Sequence, residues 1–179
     1  MTENKNYLHK YAMQFGTYMG IFWILKFVLF PLGMTIPFLQ LLFVVLTIAV
    51  PFLGFYYVRM FRDKVFGTYI NYLQAWVFTV FMYMFASLLV AVAHYFYFQF
   101  IDQGYILEKY YEILRDPSVT SVEGARAYLK QLEQSLDIIA NLTPFEMTMQ
   151  ILSLDVIFGS LLAFPTALFV MRKKNHFLR

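Results

Sequence analysis

The chain of 179 residues contains no cysteine, and only 14% of its residues are charged. The absence of cysteine excludes disulfide bonds, thiol catalysis and thiolate metal sites. This charged fraction is lower than that of soluble domains, in which about 25% of residues are charged, and it is typical of a membrane protein. No Pro/Gly/Ser linker, low-complexity tract or internal repeat divides the sequence. The length therefore predicts a single domain, 1–179.

The sequence also lacks the short motifs that identify common enzymes. It has no Gly-rich phosphate loop, no H-E-x-x-H zinc helix and no G-x-S-x-G nucleophile elbow. Its three histidines, His9, His94 and His176, are predicted at three different depths, which argues against a histidine metal site. We therefore expect a protein that is not an enzyme and has no catalytic residue, metal or cofactor. The net charge of +3 comes from residues that flank apolar segments, so nucleic acid is not an expected partner.

Long apolar runs dominate the sequence, in which 60% of the residues are hydrophobic and 21 are Phe. A helix needs about 20 apolar residues to cross a hydrocarbon core about 30 Å thick. Four runs meet this length, and they predict spans at about 13–33, 36–58, 75–98 and 147–171. A short uncharged turn around Pro31–Pro37 makes the first two an antiparallel hairpin. The predicted fold is all-α, an integral membrane four-helix bundle with a helical extracytoplasmic loop, 102–142, between helices 3 and 4.

The distribution of Lys and Arg predicts the orientation in the membrane. The N-terminal tail, the connector 59–64 and the C-terminal tail hold nine of the fourteen Lys and Arg residues, with only Glu3 and Asp63 as acids. The segment 102–146 holds four Lys and Arg and eight Asp and Glu. Because short cytoplasmic segments are enriched in Lys and Arg, we expect both termini in the cytoplasm and the loop 102–142 outside.

The outer loop carries a helical apolar pattern. Thr120 and Glu123 suit a capping box, and the apolar residues after it recur with the 3-4 spacing of a heptad seam. The seam residues are Val122, Ala125, Leu129, Leu132, Leu136 and Ile139. The pattern is compatible with a helical hairpin that folds on itself or on the outer ends of the spans. It is also compatible with a contact between molecules, homomeric or with a partner, or with a helix lying on lipid.

Two formal charges lie well inside the predicted spans, Lys26 in the first and Asp155 in the fourth. A charge at mid-membrane costs about 2.5–3.5 kcal/mol on insertion scales, so such residues usually face a partner or a cavity. The helical rise puts both in the outer half of the membrane. We predict a polar cluster centred on an ion pair between them. Its members are Lys26, His94, Asp155, Gln40 and Gln150.

Three interpretations of this cluster stay open. The pair serves packing between helices, or it forms a proton- or ion-coupled site or a ligand pocket, or Lys26 simply extends towards the membrane surface. Small residues repeat at four-residue spacing in Gly16–Gly20, in Ser87–Ala91 and in the series Gly159–Ala163–Ala167. This spacing lets helices approach closely. It favours packing within the chain and leaves dimerisation as the alternative.

The order of these features resembles the bacterial membrane family known as domain of unknown function 4199. The most specific part is the stretch 57–76, YVRMFRDKVFGTYINYLQAW, with its Arg-x-x-Arg-Asp-Lys-x-Phe-Gly connector leading into Gln74-Ala75-Trp76. The resemblance covers nearly the whole chain. It implies a location in the bacterial inner membrane and a four-span fold, and it brings no catalytic residue with it.

These observations favour a multi-pass inner-membrane protein that acts through contacts, as an interaction, assembly or accessory subunit. Its expected partners are the lipid bilayer and a second copy or another membrane protein, bound through the seam 122–139. The alternative is a small transporter or channel built around Lys26, His94 and Asp155.

Overall fold

A computed structural model describes residues 2–67, 69–120 and 126–172 of the chain. Its helices are α1 (Thr2–Gly33), α2 (Pro37–Val65), α3 (Tyr72–Tyr97), α4 (Tyr105–Arg115), α5 (Pro117–Thr120), α6 (Arg126–Ala140) and α7 (Pro144–Val170), with a π-helical turn at Phe98–Asp102. Within these ranges the only β pairing is an isolated bridge between Ile70 and Arg172. The predicted all-α class is confirmed.

Four helices are long and apolar enough to cross a membrane, namely Tyr7–Gly33, Pro37–Val65, Tyr72–Asp102 and Pro144–Val170. Each covers nearly all of one predicted span and extends beyond it at one end or both. The helices continue there through polar residues that lie outside the hydrocarbon core. Many of their apolar side chains point outward, and Phe52 of α2 and Phe169 of α7 are 71% and 78% exposed. An apolar surface of this extent is favourable in contact with lipid and unfavourable in water. The chain is a membrane protein.

The chain divides into two compact units, Met1–Val90 with Leu152–Arg179, and Ala91–Ile151. In the first unit, α1, α2 and α7 all contact α3. Gly16 of α1 lies so close to α3 that a Cβ atom there would be 2.7 Å from the carbonyl oxygen of Met82. The ring of Phe61 on α2 stacks on that of Phe78 on α3, with centroids 3.8 Å apart. Small residues and stacked rings thus replace the hydrophobic driving force that water gives to soluble cores.

Tyr83 of α3 is the largest fully buried side chain among the described residues, at 1% exposure. Its ring stacks on that of Trp23 of α1, with centroids 5.8 Å apart. Gly54 of α2 and Gly159 of α7 both border it, and neither position has room for a Cβ atom. Ala163 and Ala167, one and two turns after Gly159, are fully buried. The small-residue series of α7 is therefore used for packing within the chain.

The second unit begins with the end of α3. The helix widens into the π-helical turn, and Gln103 and Gly104 then take positive φ values of 44° and 90°. Asp102 accepts hydrogen bonds from the N–H groups of Gly104 and Ile106, both at 3.2 Å. Because the first N–H groups of a helix have no partner within it, this carboxylate fixes where α4 begins.

The loop between α3 and α7 is helical, as predicted, and α4 contacts α6. The hydroxyl of Tyr111 on α4 donates a 2.6 Å hydrogen bond to Asp137 on α6. Leu136 of the predicted seam is buried, at 9% exposure. This contact is the helical hairpin that the pattern predicted. The seam residues Val122 and Ala125 and the residue Glu123 of the predicted capping box lie outside the part of the loop that the structure describes.

The start of α7 is closed by a reciprocal capping interaction. Thr143 donates from its backbone N–H to the carboxylate of Glu146 at 2.8 Å. The Thr143 hydroxyl accepts the N–H of Glu146 at 3.2 Å. This reciprocal pair satisfies N–H groups that a helix start otherwise leaves without partners.

Candidate functional site

Three of the five predicted cluster residues, Lys26, Gln40 and Asp155, belong to the first unit. Lys26 and Asp155 attract each other electrostatically. Among the described residues, however, the ion pairs within 4.0 Å join other side chains. The two charges therefore act on each other without forming the predicted contact pair.

The ammonium group of Lys26 is surrounded by aromatic rings. Its Nζ lies 5.2 Å from the ring centroid of Phe43 on α2 and 5.9 Å from that of Trp23, one turn earlier on α1. A cation over an aromatic face is stabilised by about 0.5–2 kcal/mol, and more where water is excluded. These contacts tie Lys26 to the α1–α2 hairpin and supply part of the stabilisation that the predicted ion pair was expected to give.

His94 and Gln150 belong to the second unit. His94 is 5% exposed, and its ring lies 6.2 Å from that of Phe98, one turn later on the helix. Gln150, on the second turn of α7, is exposed. The grouping of these two residues with Lys26, Gln40 and Asp155 in one site stays a prediction.

A buried arginine at the end of α2 is the polar feature that sequence reasoning missed. Arg62 is 3% exposed, and its Nη1 donates a 2.9 Å hydrogen bond to the carbonyl oxygen of Val170, the last residue of α7. Its Nε donates a 2.8 Å hydrogen bond to the carboxylate of Asp63. The guanidinium thus donates to a carbonyl group at the end of α7, which has no N–H partner within the helix.

The spacing on α2 contains the signal that could have identified Arg62. The buried residues of this helix include Gly54 and Val58, and Arg62 follows them at the same interval of four. It therefore lies on the face that packs against the other helices. In the sequence, Arg62 belongs to a cluster of positive charges that predicts the orientation, and this cluster hides its packing role.

The turn between α2 and α3 is held at two points. Asn71 accepts the N–H of Gln74 at 2.8 Å, and Gln74 accepts the N–H of Asn71 at 3.4 Å, which is a reciprocal cap at the start of α3. The N–H of Arg172, just after α7, donates a 3.0 Å hydrogen bond to the carbonyl oxygen of Ile70. The ends of α2 and α7 and the start of α3 are thus linked through backbone and side-chain hydrogen bonds.

A pocket of about 560 Å³ opens between this turn and the residues that follow α7. Its lining residues are Phe66, Tyr69, Ile70, Asn71, Tyr72, Gln74, Met171 and Arg172. The walls are mainly apolar and aromatic, and the polar groups are two amides, two phenol hydroxyls and one guanidinium. Small-molecule sites in proteins have this size and this combination of apolar walls with a few polar groups. The pocket is a candidate small-molecule site in the described part of the first unit.

Four spanning helices with outward-facing apolar side chains define a helical, multi-pass membrane protein. The chain belongs to the family described as "Protein of unknown function (DUF4199)", which it matches over residues 14–172. The family resemblance seen in the sequence is therefore confirmed. The match includes Arg62, the turn between α2 and α3 and all residues that line the pocket. No curated protein matches the chain, and no solved structure does.

Proposed function

We propose that this chain is a non-enzymatic protein of the bacterial cytoplasmic membrane that acts through protein contacts, as a homo-oligomer or as an accessory or assembly subunit. In this proposal both termini lie in the cytoplasm and the α4–α6 hairpin lies on the outer side. The excess of Lys and Arg in the tails and in the connector 59–64 supports this orientation.

One observation carries the contact proposal: the apolar seam of α6 is wider than its contact with α4. Leu136 is buried, but Leu132 and Ile139, one heptad apart, remain 39% and 38% exposed. Tyr128, one turn before Leu132 on the same edge of the helix, is 66% exposed. An apolar strip with aromatic and aliphatic residues at heptad spacing is typical of a helix that packs against another helix.

The experiment is native mass spectrometry of the protein extracted gently from its own membrane. We expect a homo-oligomer of fixed stoichiometry or a complex with another membrane protein. The variant Leu132→Glu should dissociate that complex, because it places a charge in the apolar strip. Its matched control is Gln134→Glu, which adds the same charge at an exposed position on the opposite face of α6 and should leave the complex intact.

Two outcomes would contradict the proposal. One is a wild-type protein that is monomeric under extraction conditions that preserve other membrane complexes. The other is a complex that L132E and Q134E weaken to the same degree, because the seam would then have no specific role. Far-UV circular dichroism of both variants checks that the hairpin keeps its helices.

The second candidate is a small transporter or channel with a polar site formed by Lys26, His94 and Asp155. The observation that favours it is the electrostatic attraction between Lys26 and Asp155 inside the spanning segments. The variants Lys26→Met and Asp155→Asn separate the two functions. If they fold with unchanged thermal stability and abolish ion or substrate flux in proteoliposomes, transport is supported. Loss of thermal stability without any flux in the wild type supports a packing role for the charges.

A further inference from the structure

We propose that the pocket between the α2–α3 turn and the end of α7 binds an anionic phospholipid, with the headgroup phosphate at Arg172 and the start of an acyl chain along the apolar wall. This inference goes beyond the proposed function, because it assigns a ligand to a site that the contacts of the hairpin do not involve.

The position of the pocket at the ends of spanning helices indicates a lipid as its ligand. The pocket lies where α2 ends and α3 begins, beside the last residues of α7. These are ends of spanning helices, and the headgroup region of a bilayer is found at the ends of spans. Met171, on the apolar side of the pocket, is 40% exposed. The site is therefore open towards the region that headgroups and upper acyl chains occupy.

The positive charge around the pocket favours a lipid with an anionic headgroup. Arg59, Arg62, Lys64 and Arg172 are within the two segments that frame it, and Asp63 is the single acid there. Asp63 is already engaged, by Arg62 at 2.8 Å and by Arg59 at 3.9 Å. Basic residues beside the end of a span attract anionic lipids by about 1 kcal/mol each.

Arg172 is the residue that is available to a phosphate. It is exposed, and within the described ranges its side chain forms no ion pair closer than 4.0 Å. Its charge acts on Asp63 only from beyond that distance. Its backbone N–H, bonded to Ile70, fixes the position of its Cα beside the pocket. Guanidinium groups bind phosphate oxygens through two parallel hydrogen bonds. The amides of Asn71 and Gln74 and the hydroxyl of Tyr69 add neutral donors next to it.

The test measures the binding of single lipids to the purified protein in neutral detergent by native mass spectrometry. Phosphatidylglycerol is compared with phosphatidylcholine, which has the same glycerol and acyl chains and no net charge. Glycerol phosphate, which carries the phosphate without acyl chains, is added as a competitor. We expect phosphatidylglycerol to bind with defined stoichiometry, phosphatidylcholine to bind more weakly, and glycerol phosphate to compete poorly.

Three variants identify the site. Arg172→Gln removes the charge and keeps the backbone bridge, and it should weaken phosphatidylglycerol binding by about tenfold or more, as expected for a charge-assisted hydrogen bond. Met171→Trp keeps the charge and fills the pocket, and it should weaken binding comparably. The matched control is Arg59→Gln, an exposed arginine at the same end of the spans that does not line the pocket. It should change binding by no more than about fivefold, the effect of one surface charge, and therefore by less than R172Q does.

Each other result overturns the proposal. Equal losses in R172Q and R59Q would mean diffuse attraction to a basic surface. Wild-type binding by M171W would mean that the lipid lies elsewhere. Equal binding of phosphatidylglycerol and phosphatidylcholine would mean that the negative charge of the lipid does not contribute to binding. Competition by glycerol phosphate at the concentration of the lipid would identify a soluble phosphate ester as the ligand instead.

Discussion

The guanidinium of Arg62 donates a 2.9 Å hydrogen bond to the carbonyl oxygen of Val170, 108 residues further along the chain. This bond joins the end of α2 to the end of α7. Both groups are buried, so the bond is protected from competing water. Phe66, one turn after Arg62, and Met171, the residue after Val170, both line the same pocket.

We predict that Arg62→Met lowers the free energy of unfolding by about 2 kcal/mol, the typical contribution of a hydrogen bond to a charged group. The substitution leaves the Val170 carbonyl without its donor and keeps much of the side-chain volume. Thermal unfolding in detergent, followed by circular dichroism, measures the change.

The matched control is Arg59→Met, at an arginine whose side chain is 57% exposed. Its pair with Asp63 is on the surface, and such pairs contribute about 0–1 kcal/mol. Equal destabilisation by R59M and R62M would mean that the bond to Val170 has no special role.

The topology could be predicted from the sequence because it depends on long segments. Twenty apolar residues in a row have few alternatives to a membrane span, and the turn at Pro31–Pro37 is too short for anything other than a hairpin. The cap between Thr143 and Glu146 also depends on local sequence, because a capping box is a pattern of four residues.

The polar contacts could not be predicted to the same degree because they depend on rotation about each helix axis. Depth along a helix placed Lys26 and Asp155 at one level, and their opposite charges act on each other from beyond ion-pair distance. Depth alone does not say which side chains touch, and the ammonium group lies near Phe43 instead. The four-residue spacing from Gly54 and Val58 indicates which face of α2 carries Arg62. The pocket beside Arg62 could not be predicted, because it depends on a contact between residues 108 positions apart in the sequence.

A second prediction concerns Gly54 and the hydroxyl of Tyr83. A Cβ atom on Gly54 would collide with that hydroxyl, so Gly54→Ala should destabilise the protein by about 1–3 kcal/mol, the usual cost of overpacking. The Tyr83 hydroxyl is buried and has no hydrogen-bond partner among the described residues. Tyr83→Phe should therefore be neutral or stabilising, since it removes an unsatisfied polar group.

The double variant G54A/Y83F tests whether the two effects are coupled. Because the phenylalanine lacks the colliding oxygen, we expect it to recover part of the stability that G54A loses, with a coupling energy of about 0.5–3 kcal/mol. The ring carbon Cζ would still be 3.0 Å from the new Cβ, so the recovery should be incomplete. Strictly additive changes in the unfolding midpoint would show that Gly54 is needed for another reason.

A third prediction concerns the start of α7. Thr143→Ala removes the hydroxyl that accepts the N–H of Glu146, and loss of such a cap costs about 1 kcal/mol. Thr143→Ser keeps the hydroxyl and should retain most of the stability. Amide hydrogen exchange in the first turn of α7 should rise in T143A and stay near wild type in T143S. Equal exchange in the two variants would contradict a capping role.

The last prediction is a pH dependence of the α4–α6 contact. The hydrogen bond from Tyr111 to Asp137 raises the pKa of the Tyr111 hydroxyl above its ordinary value of 10.0, and desolvation and the carboxylates of Asp137 and Glu133 act in the same direction. Arg115, whose guanidinium lies 5.9 Å from the Tyr111 ring, opposes the shift. A group whose pKa is raised on folding stabilises the fold fully below its unfolded pKa. The contribution is then lost as the pH rises through the folded pKa, so the contact should weaken only above pH 10.0.

Near-ultraviolet titration of tyrosine ionisation measures this shift. The difference between the wild type and Tyr111→Phe isolates one hydroxyl, and its midpoint should lie above 10.0. In an Asp137→Ala background the same difference should move to lower pH, because the acceptor and its charge are both gone. An unchanged midpoint for Tyr111 after removal of Asp137 would mean that the bond between α4 and α6 is not formed in solution.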